Sequence, residues 1–325
     1  MNITYFFRPK MKNAHSIEGV FEIVMTALAD KVEINRYDTT NKWKRLYSFF
    51  KARQFQGDIN HITGDIHMLA LFLSGNKTVL TIHDIGHLER DLKGVKKYIF
   101  KILWLYLPCK KVRLITTISS FTKGRIVNTC GIPECKIKVI PNPAPQDFAY
   151  HEKEFEAKEP VILQIGSGNN KNIHRLITAV QNSKYRLLLI RKHDSELENL
   201  LKANKIPYEW YSNISRTEVY ECYKKSDIVF FASEYEGFGV PILEANQVGR
   251  VVITSNLSSM PEVAGDSCVL VDPYDSKKIR EAIDLVSEDT ALREKLIKKG
   301  KENVLRFDPT LIAGKYLSLY KELSQ

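Results

Sequence analysis

Nowhere in this chain do about 18 uncharged apolar residues follow one another, so no membrane-spanning helix is expected. The opening segment, MNITYFFRPKMKN, lacks the roughly 7–15-residue apolar core of a secretory signal, and a cytoplasmic location is expected. Cysteine is sparse. The five (Cys109, Cys130, Cys135, Cys222, Cys268) are odd in number and show no CxxC pair, which excludes a disulfide framework and fits a reducing compartment. There is no Asp-x-Asp pair and no His/Cys cluster with ligand spacing, so neither a metal nor another cofactor is expected. GSGNNKN (166–172) is not the G-x-G-x-x-G of dinucleotide-binding enzymes, which argues against an NAD oxidoreductase.

What is present is ordinary in amount and uneven in placement. The 325 residues, 44% apolar and 26% charged, suffice for two cores of about 150 residues each. Residues 1–150 hold 23 Lys and Arg against 12 Asp and Glu, whereas residues 151–325 hold 25 against 26. A basic first half suits an anionic partner surface, with a solvated face that aids solubility as the alternative.

Short apolar runs alternate with amphipathic stretches, the pattern of βα units and a parallel sheet. In the first half the strand candidates are 3–7, 59–63, 79–83, 114–118 and 138–140. In the second they are 161–165, 186–190, 228–231, 251–254 and 269–271. Four prolines in residues 140–160 break any continuous element there and mark a linker. The division expected is residues 1–150, residues 151–305, and a helical pattern within 306–325 that packs back toward the first domain.

The segment EYEGFGVPILEANQVGRVVITSN (234–256) follows the strand run DIVFFAS, at the carboxyl end where open α/β sheets bind ligands. Gly237 and Gly239 allow a sharp turn, and Pro241 suits the first turn of the helix that follows. The N-terminus of that helix is a ready phosphate site. Glu236 and Glu244 would flank it, and carboxylates beside a phosphate are better suited to sugar or ribose hydroxyls than to the phosphate itself. An ordinary glycine turn with Glu244 solvated is the plainer reading.

This segment resembles the E-x7-E signature of the family-4 retaining glycosyltransferases. SSMPEVAG (258–265), LVDP (270–273), KVIPNP (138–143) and TISSFTKGRI (117–126) resemble further elements of that family, over most of residues 78–325. The resemblance implies a GT-B fold: α/β, two doubly wound Rossmann-like domains facing across a cleft. It also implies metal-independent transfer from a nucleotide-diphosphate-sugar donor to a glycan or lipid-linked acceptor, as in surface polysaccharide synthesis. By the same resemblance Glu236 lies near the transferred sugar and Glu244 and Leu243 at the nucleotide. The backbone of Gly237, Phe238 and Gly239 would hold sugar or diphosphate, with Lys171, Gly166, Ser167 and Asn170 forming the phosphate loop. Ser167 stands where the family usually has arginine, which leaves Asn169, Asn170 and Arg191 as substitutes. A nucleotide-sugar epimerase, a sugar phosphorylase or a non-catalytic sugar-binding protein would share the architecture.

His83 and Asp84 end an apolar strand at a position that resembles the family's "HD" pair, with His83 directed at donor sugar and acceptor. Read alone, they are a structural histidine and a helix cap. In the first loop (8–19) the family often has a Gly-rich turn; here Asn13, Ala14 and Ser16 are the acceptor-side candidates, and Ser16 also reads as a helix start. LKGVKKYIFKILWLYLPCKKVR (92–113) interleaves lysines with aromatics, the composition of an interfacial helix on anionic lipid, and Pro108 is expected to end it. A core helix with a basic outer face is the alternative. No nucleic-acid motif is present.

Overall fold

A computed structural model describes residues 1–9, 16–40 and 44–325. It divides into two units, Met1–Pro143 with Phe307–Gln325, and Ala144–Arg306. The change falls before residue 150 because Phe148 is buried against Tyr220 and Tyr223, and Asp147 pairs with Arg216 at 2.6 Å, all in the second unit.

Six parallel strands form the first unit's sheet: β1 (Asn2–Phe7), β2 (Glu33–Asp38), β3 (Ile59–Ile62), β4 (Thr78–Ile82), β5 (Leu114–Thr117) and β6 (Ile137–Val139), in the order β2-β1-β3-β4-β5-β6. The second unit's sheet comprises β7 (Val161–Ile165), β8 (Arg186–Ile190), β9 (Tyr208–Tyr211), β10 (Ile228–Phe231), β11 (Val251–Ser255) and β12 (Cys268–Val271). Its order is β12-β11-β10-β7-β8-β9, again all parallel. Central strands such as IVFF and VVITS are buried on both faces, which is why they read as unbroken apolar runs.

Strands β2 and β9 are not marked by apolar runs in the sequence. Both are edge strands with one neighbour, and their residues EINRYD and YEWY keep partial exposure. Pro108 does not end its helix. The chain runs from the helix Gly94–Phe100 through a widened turn at Lys101–Tyr106 into the helix Leu107–Lys111, with Pro108 in its first turn. A register wider than i→i−4 removes the carbonyl that the proline ring would otherwise strike.

Helices cover both faces of the first sheet. On one face Tyr5, Phe7 and Phe21 pack with Ile312, Tyr316 and Tyr320 of the helix Pro309–Ser324. This face contains a buried polar chain: His61 bonds Tyr320 through Nδ1 (2.5 Å) and Thr81 through Nε2 (2.7 Å), and Tyr320 donates to the Tyr5 hydroxyl. Burial pushes the His61 imidazole down to about 3 and His67 to about 4. Both are therefore neutral in the folded state while the unfolded chain takes up protons near pH 6.5. The stability they hold is complete above about pH 6.5 and is lost as pH falls toward these folded values, at up to about 1.4 kcal/mol per pH unit for each. Urea denaturation of a His61→Gln variant should show lower stability at pH 7 but a shallower decline between pH 7 and 4.5 than the parent.

Candidate functional site

In the second sheet the strand order reverses between β7 and β10, so the loops after these two neighbours leave in opposite directions and open a crevice at their carboxyl ends. Lys171 comes from the first loop and Glu236 from the second. Their ion pair is 2.6 Å long, and the Lys171 ammonium also lies 4.7 Å from the centre of the Phe231 ring. Asn170 joins the loops again by donating to Tyr235 O (2.8 Å) and to Glu236 Oε1 (3.2 Å).

Local backbone explains how Lys171 reaches across. Gly166 has φ +105°, and a Cβ there would lie 2.8 Å from Lys171 Cε, inside the lysine stem. Glycine therefore clears the path as well as adopting the turn. Asn172 takes φ +59° and is buried, its amide donating to Ala232 O (3.1 Å) and Pro273 O (2.6 Å). Sequence reasoning missed this asparagine, which fixes the loop; its signal was a left-handed-tolerant residue just before a helix.

Two serines clamp the glutamate turn. Ser258 accepts from Glu236 N at 3.1 Å, while Ser259 donates to Glu236 O (3.0 Å) and Phe238 O (2.7 Å). Gly239, at φ +120°, leads into the helix Val240–Val248, whose N-terminus no side chain caps. The crevice thus combines a lysine, the positive end of a helix and one carboxylate.

Glu244 has different surroundings. It is 3% exposed, and both oxygens are taken: Oε1 by Arg216 (2.5 Å) and Oε2 by the Tyr223 hydroxyl (2.6 Å). It shares no hydrogen-bond partner with Glu236, so the two acids expected at one mouth have separate attachments. Burial raises the Tyr223 phenol well above its ordinary value, and the Glu244 charge adds to this. Burial opposes the charge on Arg216, but Glu244 and Asp147 outweigh it and raise that guanidinium. Neither partner was legible, since they lie 28 and 21 residues upstream. Leu243 is fully buried in the interior. Ser167 supplies no cation; its Oγ accepts from Lys192 N at 2.7 Å.

The first unit has its own reversal, between β1 and β3. There His83 donates from Nε2 to Thr63 O (2.7 Å), and Gly64 (φ +135°) makes room, since a Cβ would lie 2.6 Å from His83 Cδ2. Desolvation lowers the His83 pKa, with the Thr63 bond opposing it. A neutral ring that donates through Nε2 leaves Nδ1 as an acceptor. Asp84 is exposed and accepts from Gly86 N (2.7 Å), closing the turn that follows. Thr122, in the helix capped by Ser119, donates to His83 O at 3.3 Å. Arg8, after β1, pairs with Glu18 (2.7 Å) and Asp65. Asn13 lies outside the described residues; Ser16 begins the helix Ser16–Leu28.

Two known families match the chain in turn. Residues 146–303 match the family described as Glycosyl transferases group 1, and residues 33–148 the family Glycosyltransferase Family 4. The chain is 28% identical to O-antigen chain mannosyltransferase B of Escherichia coli over 273 residues, 76% of this chain and 71% of that one. It is also 28% identical to O-antigen chain mannosyltransferase RfbU of Salmonella typhimurium, over 64% of this chain and 60% of that one. Among solved structures it resembles sucrose-phosphate synthase from Thermosynechococcus elongatus, with a TM-score of 0.80, 15% identity and 99% of each chain covered.

The Glu244 bonds are the most sharply testable part of the geometry. Tyr223→Phe removes a donor from a buried carboxylate and should cost about 1.5–3 kcal/mol, read as a lower urea midpoint.

Proposed function

Because this chain belongs to the family-4 glycosyltransferases of GT-B architecture, we propose that it moves a sugar from a nucleotide-diphosphate-sugar to a glycan or lipid-linked acceptor of a surface polysaccharide. Its mannosyltransferase relatives support that setting. The observation that carries the reading is the Lys171–Glu236 pair beside an uncapped helix N-terminus, at the carboxyl ends of β7 and β10.

The demanding step is cleavage of the bond between the anomeric carbon and the diphosphate oxygen, which puts negative charge on the leaving group. Lys171 and the helix N-terminus stabilise that charge without a metal ion. Before the donor arrives, Lys171 is neutralised by Glu236. An incoming diphosphate takes over the lysine, and the released carboxylate accepts hydrogen bonds from the sugar. The acceptor hydroxyl attacks the face from which the diphosphate departs and passes its proton to a diphosphate oxygen, so configuration is retained and no side chain serves as base. His83 offers Nδ1 to a substrate hydroxyl. Glu244 takes the ribose hydroxyls in place of one of its present donors.

The reaction is assigned to the cytoplasmic side of a membrane, with the first unit resting on anionic lipid. Tyr47 and Phe50 on the helix Arg45–Ala52, and Val95, Tyr98 and Ile99 on the helix Gly94–Phe100, are all more than half exposed. Phe50 packs on Phe72 and Phe100 stacks on Trp104, and Phe49, Phe72, Phe100 and Trp104 belong to or pack against one buried cluster beneath the two helices. Lys51, Lys93 and Lys96, each within two positions in sequence of Phe50 or Val95, are exposed as well. Each lysine near an anionic leaflet contributes about 1 kcal/mol. Among the described residues no helix is long and apolar enough to cross a membrane.

Glu236→Gln should reduce transfer from a radiolabelled donor by about 100-fold or more. The same change should leave nucleoside diphosphate affinity equal or higher, because a competing carboxylate is gone; undiminished turnover would remove Glu236 from the site. Vesicles with anionic lipid should co-sediment the protein and release it on addition of salt, and equal recovery with neutral vesicles would refute the membrane assignment.

A further inference from the structure

The strand next to the phosphate loop ends in a charged side chain that makes no ion pair among the described residues. Arg191 follows β8 and is 8% exposed, and its Nε and Nη1 are buried with no hydrogen-bond partner among the described residues. Among the described residues no carboxylate comes within salt-bridge distance of it, and Asp194, three residues on, acts on its charge only from farther away. Most other arginines of this unit, among them Arg175, Arg186, Arg216 and Arg280, bond a carboxylate. Arg250 and Arg293 bond backbone carbonyls. A buried guanidinium without partners is costly, and a folded chain retains one where something else supplies them.

Its position says what that something is. On one side of Arg191, Ile190 O accepts from Gly166 N (2.9 Å); on the other, Lys192 N donates to Ser167 Oγ (2.7 Å). Residues 190 and 192 are therefore both tied to the Gly166–Ser167 turn, and Arg191 is held between them. From the opposite side its own backbone is fixed by Tyr211 O (3.0 Å), Trp210 Nε1 (3.1 Å) and Ser212 Oγ (2.6 Å). The main chain is thus locked at five points, while Nε and Nη1 of the side chain find no partner among the described residues.

We propose that Arg191 is the second cation of the donor site, binding an oxygen of the nucleoside diphosphate alongside Lys171. Ser167, in the same scheme, is a positioning residue that pins the end of β8 against the loop. This rests on the donor reading above and adds a residue that it leaves unassigned. A guanidinium provides two directed N–H donors, which suits a diphosphate better than a second lysine. It also accounts for binding at a loop that carries only one lysine of its own.

Calorimetric titration of the intact protein with UDP, GDP and the corresponding monophosphates tests the assignment. The parent should bind one diphosphate more tightly than its monophosphate. Arg191→Gln should weaken the diphosphate by roughly 10–100-fold and the monophosphate far less, and Arg191→Lys should retain more of the diphosphate preference than Arg191→Gln. Without ligand, Arg191→Gln should melt at or above the parent's temperature, since an unpaired buried charge has been removed. Unchanged diphosphate affinity in Arg191→Gln overturns this assignment alone. So does a drop of several degrees in its melting temperature with equal losses for both variants, the mark of a structural arginine. Failure of the parent to bind either diphosphate overturns the donor reading, and this one with it.

Discussion

Everything assigned to the second unit depends on one contact between two loops, the ion pair of Lys171 with Glu236. Parallel pairing places the carboxyl ends of β7 and β10 side by side, and the reversal of strand order there keeps the connecting helices from filling the space above them. The loops then face each other with opposite charges. Gly166 lets the lysine cross, Asn172 and the two clamping serines stop the loops from drifting, and an uncapped helix end points at the same place. Each of these is a local backbone matter, and together they leave a positive site guarded by one negative group.

The guard has a chemical logic. A cationic pocket with no counter-charge would be occupied by any small anion, whereas a pocket closed by its own carboxylate opens only to a ligand that offers both an anion for the lysine and hydroxyls for the acid. Glu244 follows the other strategy. Its oxygens are satisfied by Arg216 and Tyr223 in a buried setting, so it also holds the helix Arg216–Lys225 against the helix Val240–Val248. One sequence motif thus contains an acid at a loop surface and a buried acid whose two oxygens are already bonded.

Much of this was legible in the chain. Central strands announce themselves as apolar runs because both of their faces are covered, and the turn EGFGVP carries its glycines and proline in the order that a strand, a turn and a helix require. Edge strands β2 and β9 were not legible, since half-exposed residues such as Arg36 and Glu209 carry no apolar signal. Pro108 was misread as a helix end because a widened turn upstream removes the clash on which that rule relies. The partners of Glu244 were hidden for another reason: tertiary contacts between distant helices leave no trace in local spacing. The missing arginine at Ser167 was visible and Arg191 was among its named substitutes, but that β8 runs beside β7, next to the loop, is a matter of strand adjacency that the sequence does not give.

The helix Pro309–Ser324 supplies Ile312, Tyr316 and Tyr320 to the core of the first unit, and Tyr320 completes the hydrogen bonds of His61. Residues 144–306, by contrast, form a unit from one uninterrupted stretch. During synthesis on the ribosome the later stretch can therefore reach its final packing while the earlier one still waits, its central histidine bonded to Thr81 but lacking the Tyr320 hydroxyl until the closing helix emerges. The order of maturation is the reverse of the order of translation, and the unfinished N-terminal sheet is the part that needs shielding from aggregation in the interval.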